Sequence, residues 1–326
     1  MISRRNIRIK VMQALYASDQ HFSPQANATA TPQEGIILTK ASATHMQEAE
    51  KLLAGKINQS AALFYLLLTY LCKVAQYAAT DAQQRAAKHL ATEEDKHVST
   101  KLAGNIALSG LWEDASFQAN RKALKVDHYV KSEWVKKLYK KLIQTEDYRT
   151  YTQEAEHRPA ADKEMLYFIW HDVMQQHESF LSDLSDDWIN WEDDSLLMDM
   201  LIDNYFHKPS STRFKDFISK EKKAYAEDLL QTVIEKQGHL LQIIRPKLKN
   251  WKADRIAQID MVLLKMGLAE FLYFPTIPEK ATINEYIEIA KQYSTDQSGQ
   301  FVNGVLDSLR KELLKENKLR KIAHSK

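Results

Sequence analysis

The sequence predicts an all-α protein made of helical bundles, and three observations carry that expectation. Eight glycines and seven prolines in 326 residues are far below average usage, about 7% and about 5% respectively, so turn-dense sheet folds are disfavoured. Long stretches rich in Leu, Lys, Glu, Gln and Ala are strong helix formers. Strand-like alternation is nowhere sustained. The length fits two domains, or one domain with a large insertion, at about 150 residues each. A hydrophobic fraction of 44% with 27% charged residues suits a packed globular chain and excludes fibrous or largely disordered classes.

The elements follow in order. Ser3 is a plausible N-cap for a first helix reaching about Gln20. Its core stripe is Ile7, Val11, Ala14 and Leu15, and a second stripe, Arg5, Ile9, Met12 and Tyr16 with Arg8 alongside, faces elsewhere. Residues Ser23 to Gly35, SPQANATATPQEG, have the composition of a linker. Residues 40 to 156 read as several helices, and another lies near 162 to 181. The apolar run from Ala61 to Leu71 is shorter than the 18 or more residues of a bilayer span and reads as a buried helix. The acidic stretch LSDLSDDWINWEDD looks like a boundary, followed by the amphipathic LLMDMLIDNYF. Ile256, Ile259, Leu263 and Met266 share one helical face, which ends before Pro275 and Pro278. Thr282 to Glu285 has capping-box form, with Ile283, Tyr286, Ile287 and Ala290 as the buried stripe behind it. After the turn STDQSG, Phe301, Val305 and Leu309 with Val302, Leu306 and Leu313 mark a final helix.

A formal net charge of +2 conceals local asymmetry, and local fields decide binding. Residues 1 to 18 carry Arg4, Arg5, Arg8 and Lys10 with no acid. Residues 121 to 141 carry eight Lys or Arg against two acids, and residues 178 to 203 carry nine acids and no Lys or Arg. A third basic run closes the chain from 310. Cationic side chains on a short helical segment can neutralise phosphates, and Tyr16 can either pack in the core or stack on an unpaired base.

Catalytic and metal readings find no support. Cys72, the single cysteine, excludes a disulfide and a thiolate cage and sits in an apolar run as inert core. His171 and His177 are not at i, i+4, no H-E-x-x-H occurs, and the acids after Asp183 lack the glycine of a calcium loop. No phosphate-binding glycine motif or G-x-S-x-G elbow is present. The expectation is a non-enzyme with no cofactor and no metal. MISRRNIRIK lacks the apolar core of a secretory signal, so a cytoplasmic location with no membrane partner is expected.

SRRNIRIKVMQALYA at the N-terminus, DRIAQIDMVLLKMGLAEFLYF, and PEKATINEYIEIAKQYSTDQSGQFVNGVLDSL near the C-terminus together resemble the NusB transcription antitermination factors. The resemblance covers residues 3 to 20 and roughly 222 to 316, about a third of the chain. It implies residues 1–20 as a basic helix packing on the C-terminal bundle, 21–200 as linker and inserted helical region, and 201–326 as a NusB-like helical domain. It also implies binding of boxA-like single-stranded RNA in ribosomal RNA transcripts together with the small-subunit ribosomal protein NusE, and indirect links to other Nus factors and RNA polymerase. The implied RNA-binding residues are Arg4, Arg5, Arg8, Lys10, Tyr16, Phe301 and Asn303, and Asp296 is the implied partner contact. Phe301 equally fits the core, Asn303 a structural hydrogen bond and Asp296 a helix cap. Two other functions stay open: a NusB-like RNA-binding domain of a ribosomal RNA cytosine methyltransferase, and a helical scaffold that binds no RNA. The former needs a glycine-rich cofactor loop and a nucleophilic cysteine in a second domain, and the sequence stops soon after the recognised region.

Overall fold

The computed structural model describes residues 2–22, 37–209, 214, 216–248 and 256–322. Helix is the dominant state, 80% of the chain, and no strand occurs among the described residues. The helices are α1 (Arg4–Phe22), α2 (Ile37–Ala86), α3 (Glu93–Lys96), α4 (Ile106–Glu113) and α5 (Ala115–Ala123). They continue with α6 (Ser132–Leu142), α7 (Glu146–Gln153), α8 (Pro159–Phe168), α9 (Glu178–Asp187) and α10 (Trp191–His207). The last five are α11 (Lys220–Glu235), α12 (Gln237–Ile244), α13 (Gln258–Tyr273), α14 (Glu279–Tyr293) and α15 (Ser298–Lys315). The candidate linker at Ser23 to Gly35 lies outside the described residues.

Two compact units divide the chain. One is in the main Asn58–Phe217; the other combines Ser3–Ile57 with Ile218–Lys326. The division therefore differs from a split at 200/201. Helix α10, which begins in the acidic tryptophan-bearing stretch, buries Trp191, Leu197, Met198, Leu201, Ile202, Tyr205 and Phe206 in the first unit. Its buried Asp194 accepts hydrogen bonds from Ser60 Oγ and Asn190 Nδ2, each at 2.6 Å. Such satisfied buried polar groups fix an element in place.

In the first unit, Leu63 to Leu68 of α2 are all buried. Phe64 and Tyr65 pack beside Phe214, and Tyr65 also meets Phe117. Cys72 is buried, and burial pushes its thiol up to about 12, which leaves it an unreactive thiol at neutral pH. By length and composition α2 passes for a membrane-crossing helix, yet 78% of its most apolar window is buried inside the protein, as in a core helix. A π-helical segment, Ile169–Met174, continues α8.

In the second unit α13 is central. Residues 262–271 are all buried, the pattern of a helix enclosed on every side. It packs against α1, α11, α12, α14 and α15. Gly267 permits this, because a Cβ there would stand 2.8 Å from Leu306 Cδ2 of α15. Ser3 caps α1 as expected, its Oγ accepting from Asn6 N–H at 3.2 Å.

Three expectations need correction here. Helix α14 starts at Glu279, directly after Pro278, whose fixed φ suits a helix entry, so Thr282 is internal and forms no capping box. Ile289, not Ile287, joins the buried stripe of α14. Finally, α1 has no separate polar stripe along its middle: Ile7 to Met12 are all buried.

Candidate functional site

The side chains around α1 are organised by one carboxylate. Glu270 sits on α13 with 0% of its surface exposed. A charge taken out of water must be met by donors, and five side-chain hydrogen bonds converge on it. Arg8 Nε and Nη2 donate to Oε1 and Oε2 at 2.7 and 3.1 Å. The hydroxyls of Tyr225 and Tyr286 donate to Oε1 at 2.6 and 2.8 Å, and Thr282 Oγ1 donates to Oε2 at 2.7 Å. The Arg8 guanidinium also lies 5.7 Å from the ring centres of both Tyr225 and Tyr286, a cation–π arrangement.

The electrostatics follow from this geometry. Burial alone would raise the Glu270 carboxyl, but the charge of Arg8 and its hydrogen bonds hold it below the ordinary carboxylate value. Burial likewise works against the Arg8 cation, yet Glu270 outweighs it and the net shift is upward. The Tyr225 and Tyr286 hydroxyls are raised by burial and then by the Glu270 charge, so both stay protonated donors. The node thereby ties α1, α11, α13 and α14 together.

Two arginines lie outside this node. Arg4 pairs with Glu221 of α11 at 2.8 Å, the two side chains being 43% and 78% exposed. Arg5 forms a two-pronged pair with Glu285 of α14 at 2.8 and 3.1 Å. Its guanidinium is raised, chiefly by the Glu285 hydrogen bond. Further along α1, Lys265 Nζ donates to Asp19 at 3.1 Å and His45 approaches it at 3.4 Å. Burial opposes the Asp19 charge, but His45 and Lys265 hold the carboxyl low.

The structure thus separates the residues that sequence patterning grouped. Arg4 and Arg5 are exposed, whereas Arg8 and Lys10 are buried, 3% and 1% exposed. Arg8, buried and paired with Glu270, is withdrawn from any ligand outside the fold. Tyr16 is half-buried. On α15, Phe301 is a core residue, and Asn303 and Gly304 are exposed. Asp296 is exposed in the turn before α15, whose N-cap residue is Gln297. Ser298, not Asp296, organises that turn: its buried hydroxyl accepts from Thr295 N–H at 3.1 Å and donates to Asp260 at 2.8 Å.

Sequence reasoning missed Glu270 and Glu285 as the partners of the arginines. The signal for Glu270 was present, a lone acid in the apolar GLAEFLYF. In the first unit it also missed that His171 meets Asp203 at 2.9 Å and Asp199 at 3.7 Å. Those three residues bring ligand-capable atoms within 4.8 Å of one another among the described residues. Burial works against a charged His171, but the hydrogen bonds to Asp203 and Gln175 and the nearby carboxylates prevail and raise it.

The NusB family model matches residues 191–311. The transcription antitermination protein NusB of Methylacidiphilum infernorum is 42% identical over 99 residues, 30% of this chain and 68% of that protein. The protein of the same name from Listeria monocytogenes serotype 4a is 37% identical over 98 residues, 30% of this chain and 77% of that protein. Its counterpart in Bacillus licheniformis is 37% identical over 94 residues, covering 29% and 73%. No solved structure matches. Identity at this level over more than two thirds of the relatives' own length is shared ancestry of a whole helical domain, and the chain belongs to the NusB family of transcription antitermination proteins.

Proposed function

We propose that this protein is a non-enzymatic, cytoplasmic antitermination factor that holds boxA-type single-stranded RNA in ribosomal RNA transcripts, in company with the ribosomal protein NusE. Through that complex it acts on RNA polymerase with other Nus factors. The observation that carries the reading is the surface position of Arg4 and Arg5, Arg4 in an exposed ion pair with Glu221 and Arg5 paired with the half-buried Glu285. Exposed pairs contribute little to stability, about 0–1 kcal/mol. Arg4 can therefore exchange its carboxylate for a phosphate at small cost, and Arg5 stands one residue along the same exposed turn. Tyr16 and the exposed Asn303 offer a stacking ring and an amide for base edges. Arg8 serves as a positioning residue, since its grip on Glu270 sets where the preceding turn of α1 lies. Phe301 anchors α15 and with it Asn303, and buried Lys10 belongs to the packing of α1. Asp296 lies on the surface proposed for the basic ribosomal partner.

The test is a boxA-like RNA titration of the full chain over a range of salt, with and without the ribosomal protein. Replacing Arg4 and Arg5 with alanine is expected to weaken binding and to flatten the log K against log salt slope by about 0.7 per lost contact to single-stranded RNA. A slope identical to the unsubstituted protein's would show that these arginines touch no phosphate. Absence of any salt-dependent binding would leave the helical scaffold as the better reading.

A further inference from the structure

The outward side of α10, in the first unit, is exposed at Glu192, Leu196 and Met200. Its inward side is committed to Trp191, Leu197, Met198, Leu201, Ile202, Tyr205 and Phe206. At 3.6 residues per turn, Leu196 and Met200 stand one turn apart on the opposite side. Leu196 is 77% exposed and Met200 39%, and Ile189, in the turn before the helix, is 92% exposed. A single exposed leucine means little. Here three apolar side chains come close in sequence, on and just before one helix, and the same sector carries Glu192 and Asp193 beside Asp199 and Asp203, the last two being held by Trp170, Gln175 and His171. No Lys or Arg occurs from Glu178 to Asp203. An apolar stripe between carboxylates repels nucleic acid and favours a cationic protein surface, while the thioether of Met200 adapts to varied partners.

We infer that this face of α10 docks a basic protein segment whose apolar side chains cover Leu196 and Met200 while its lysines or arginines meet Glu192 and Asp193. The interaction is separate from the RNA contacts of α1 and does not rest on them. Rim carboxylates steer the encounter and the apolar stripe sets the residence time.

The experiment uses the full chain and a fluorescein-labelled synthetic helical peptide in which a leucine stripe at i, i+4 spacing is flanked by lysines. A scrambled peptide of identical composition and a version with glutamate for lysine serve as comparators. Anisotropy titrations are expected to show binding of the patterned peptide, and loss of at least about tenfold in affinity, 1.4 kcal/mol, for the scrambled one. Leu196→Ser with Met200→Ser, and separately Glu192→Lys with Asp193→Lys, are expected to lower affinity to a similar degree. All four positions lie on the side of α10 away from its buried residues, and circular dichroism confirms that each variant keeps its helix content. Equal binding of both lysine peptides, or unchanged affinity in either double variant, overturns the proposal. So does sedimentation showing that the chain pairs with itself and that Leu196→Ser abolishes the pairing, because the occupant is then a second copy.

Discussion

Arg8 grips both carboxylate oxygens of Glu270 across 262 residues of chain, with both side chains out of contact with water. Removing one partner strands the other charge in the core. Arg8→Ala and Glu270→Ala are each expected to cost about 3–5 kcal/mol in equilibrium urea unfolding. The combined Arg8→Met, Glu270→Leu variant is expected to lose less than the two single losses added together, since no unpaired charge remains. Strict additivity would refute the coupling.

The same carboxylate fixes a pH dependence. The folded-state pKa of Glu270 is lowered, so its contribution is fully present above the unfolded value of about 4.3 and is lost as pH falls through the folded value. Unfolding midpoints for the unsubstituted protein and Glu270→Gln are expected to differ most near neutrality and to converge in acid. A gap that stays constant down to the acid limb would mean that Glu270 carries no such linkage.

At Gly267, α13 lies close against α15. A Cβ there meets Leu306 at 2.8 and 3.1 Å and Tyr286 at 3.4 Å. Gly267→Ala is expected to destabilise by about 1–3 kcal/mol through overpacking, despite alanine's better helix propensity. Adding Leu306→Val is expected to recover part of the loss. A more stable Gly267→Ala protein would contradict the close approach.

The exposed turn before α15 supplies a prediction about the partner. Asp296→Lys reverses a charge that makes no contribution to the Ser298 and Asp260 hydrogen bonds, so folding is expected to be unaffected. Association with the ribosomal protein, followed by surface plasmon resonance at two salt concentrations, is expected to slow, with RNA binding by this chain alone nearly unchanged. If partner affinity instead survives Asp296→Lys and collapses on removal of residues 36–195, the inserted region carries the interface.

Periodicity read the helices well wherever one face is buried. Ile7, Val11, Ala14 and Leu15, and likewise Phe301, Val305 and Leu309, occupy the core as their spacing requires. It failed where a helix is enclosed on all sides, because periodicity cannot show that a polar residue has a buried partner far away in sequence. Arg8 looked like its neighbours Arg4 and Arg5 for that reason, and only Glu270, Tyr225 and Tyr286 distinguish it. The capping-box pattern at Thr282 failed similarly: a buried acceptor on α13 claims the hydroxyl that the local pattern assigned to the backbone. Arg4, Arg5, Asn303 and Asp296 are on the surface.

The second unit draws on two stretches far apart in sequence, Ser3–Ile57 and Ile218–Lys326, and the residues numbered between them form most of the first unit. A ribosome emits α1 long before α13, so the buried Arg8 waits for its carboxylate until most of the polypeptide has been synthesised. The intervening stretch meets no such delay and has the means to fold first, N-terminal parts preceding C-terminal ones. A stalled or truncated chain lacking α13 would leave the apolar sides of α1 uncovered, a natural target for quality control.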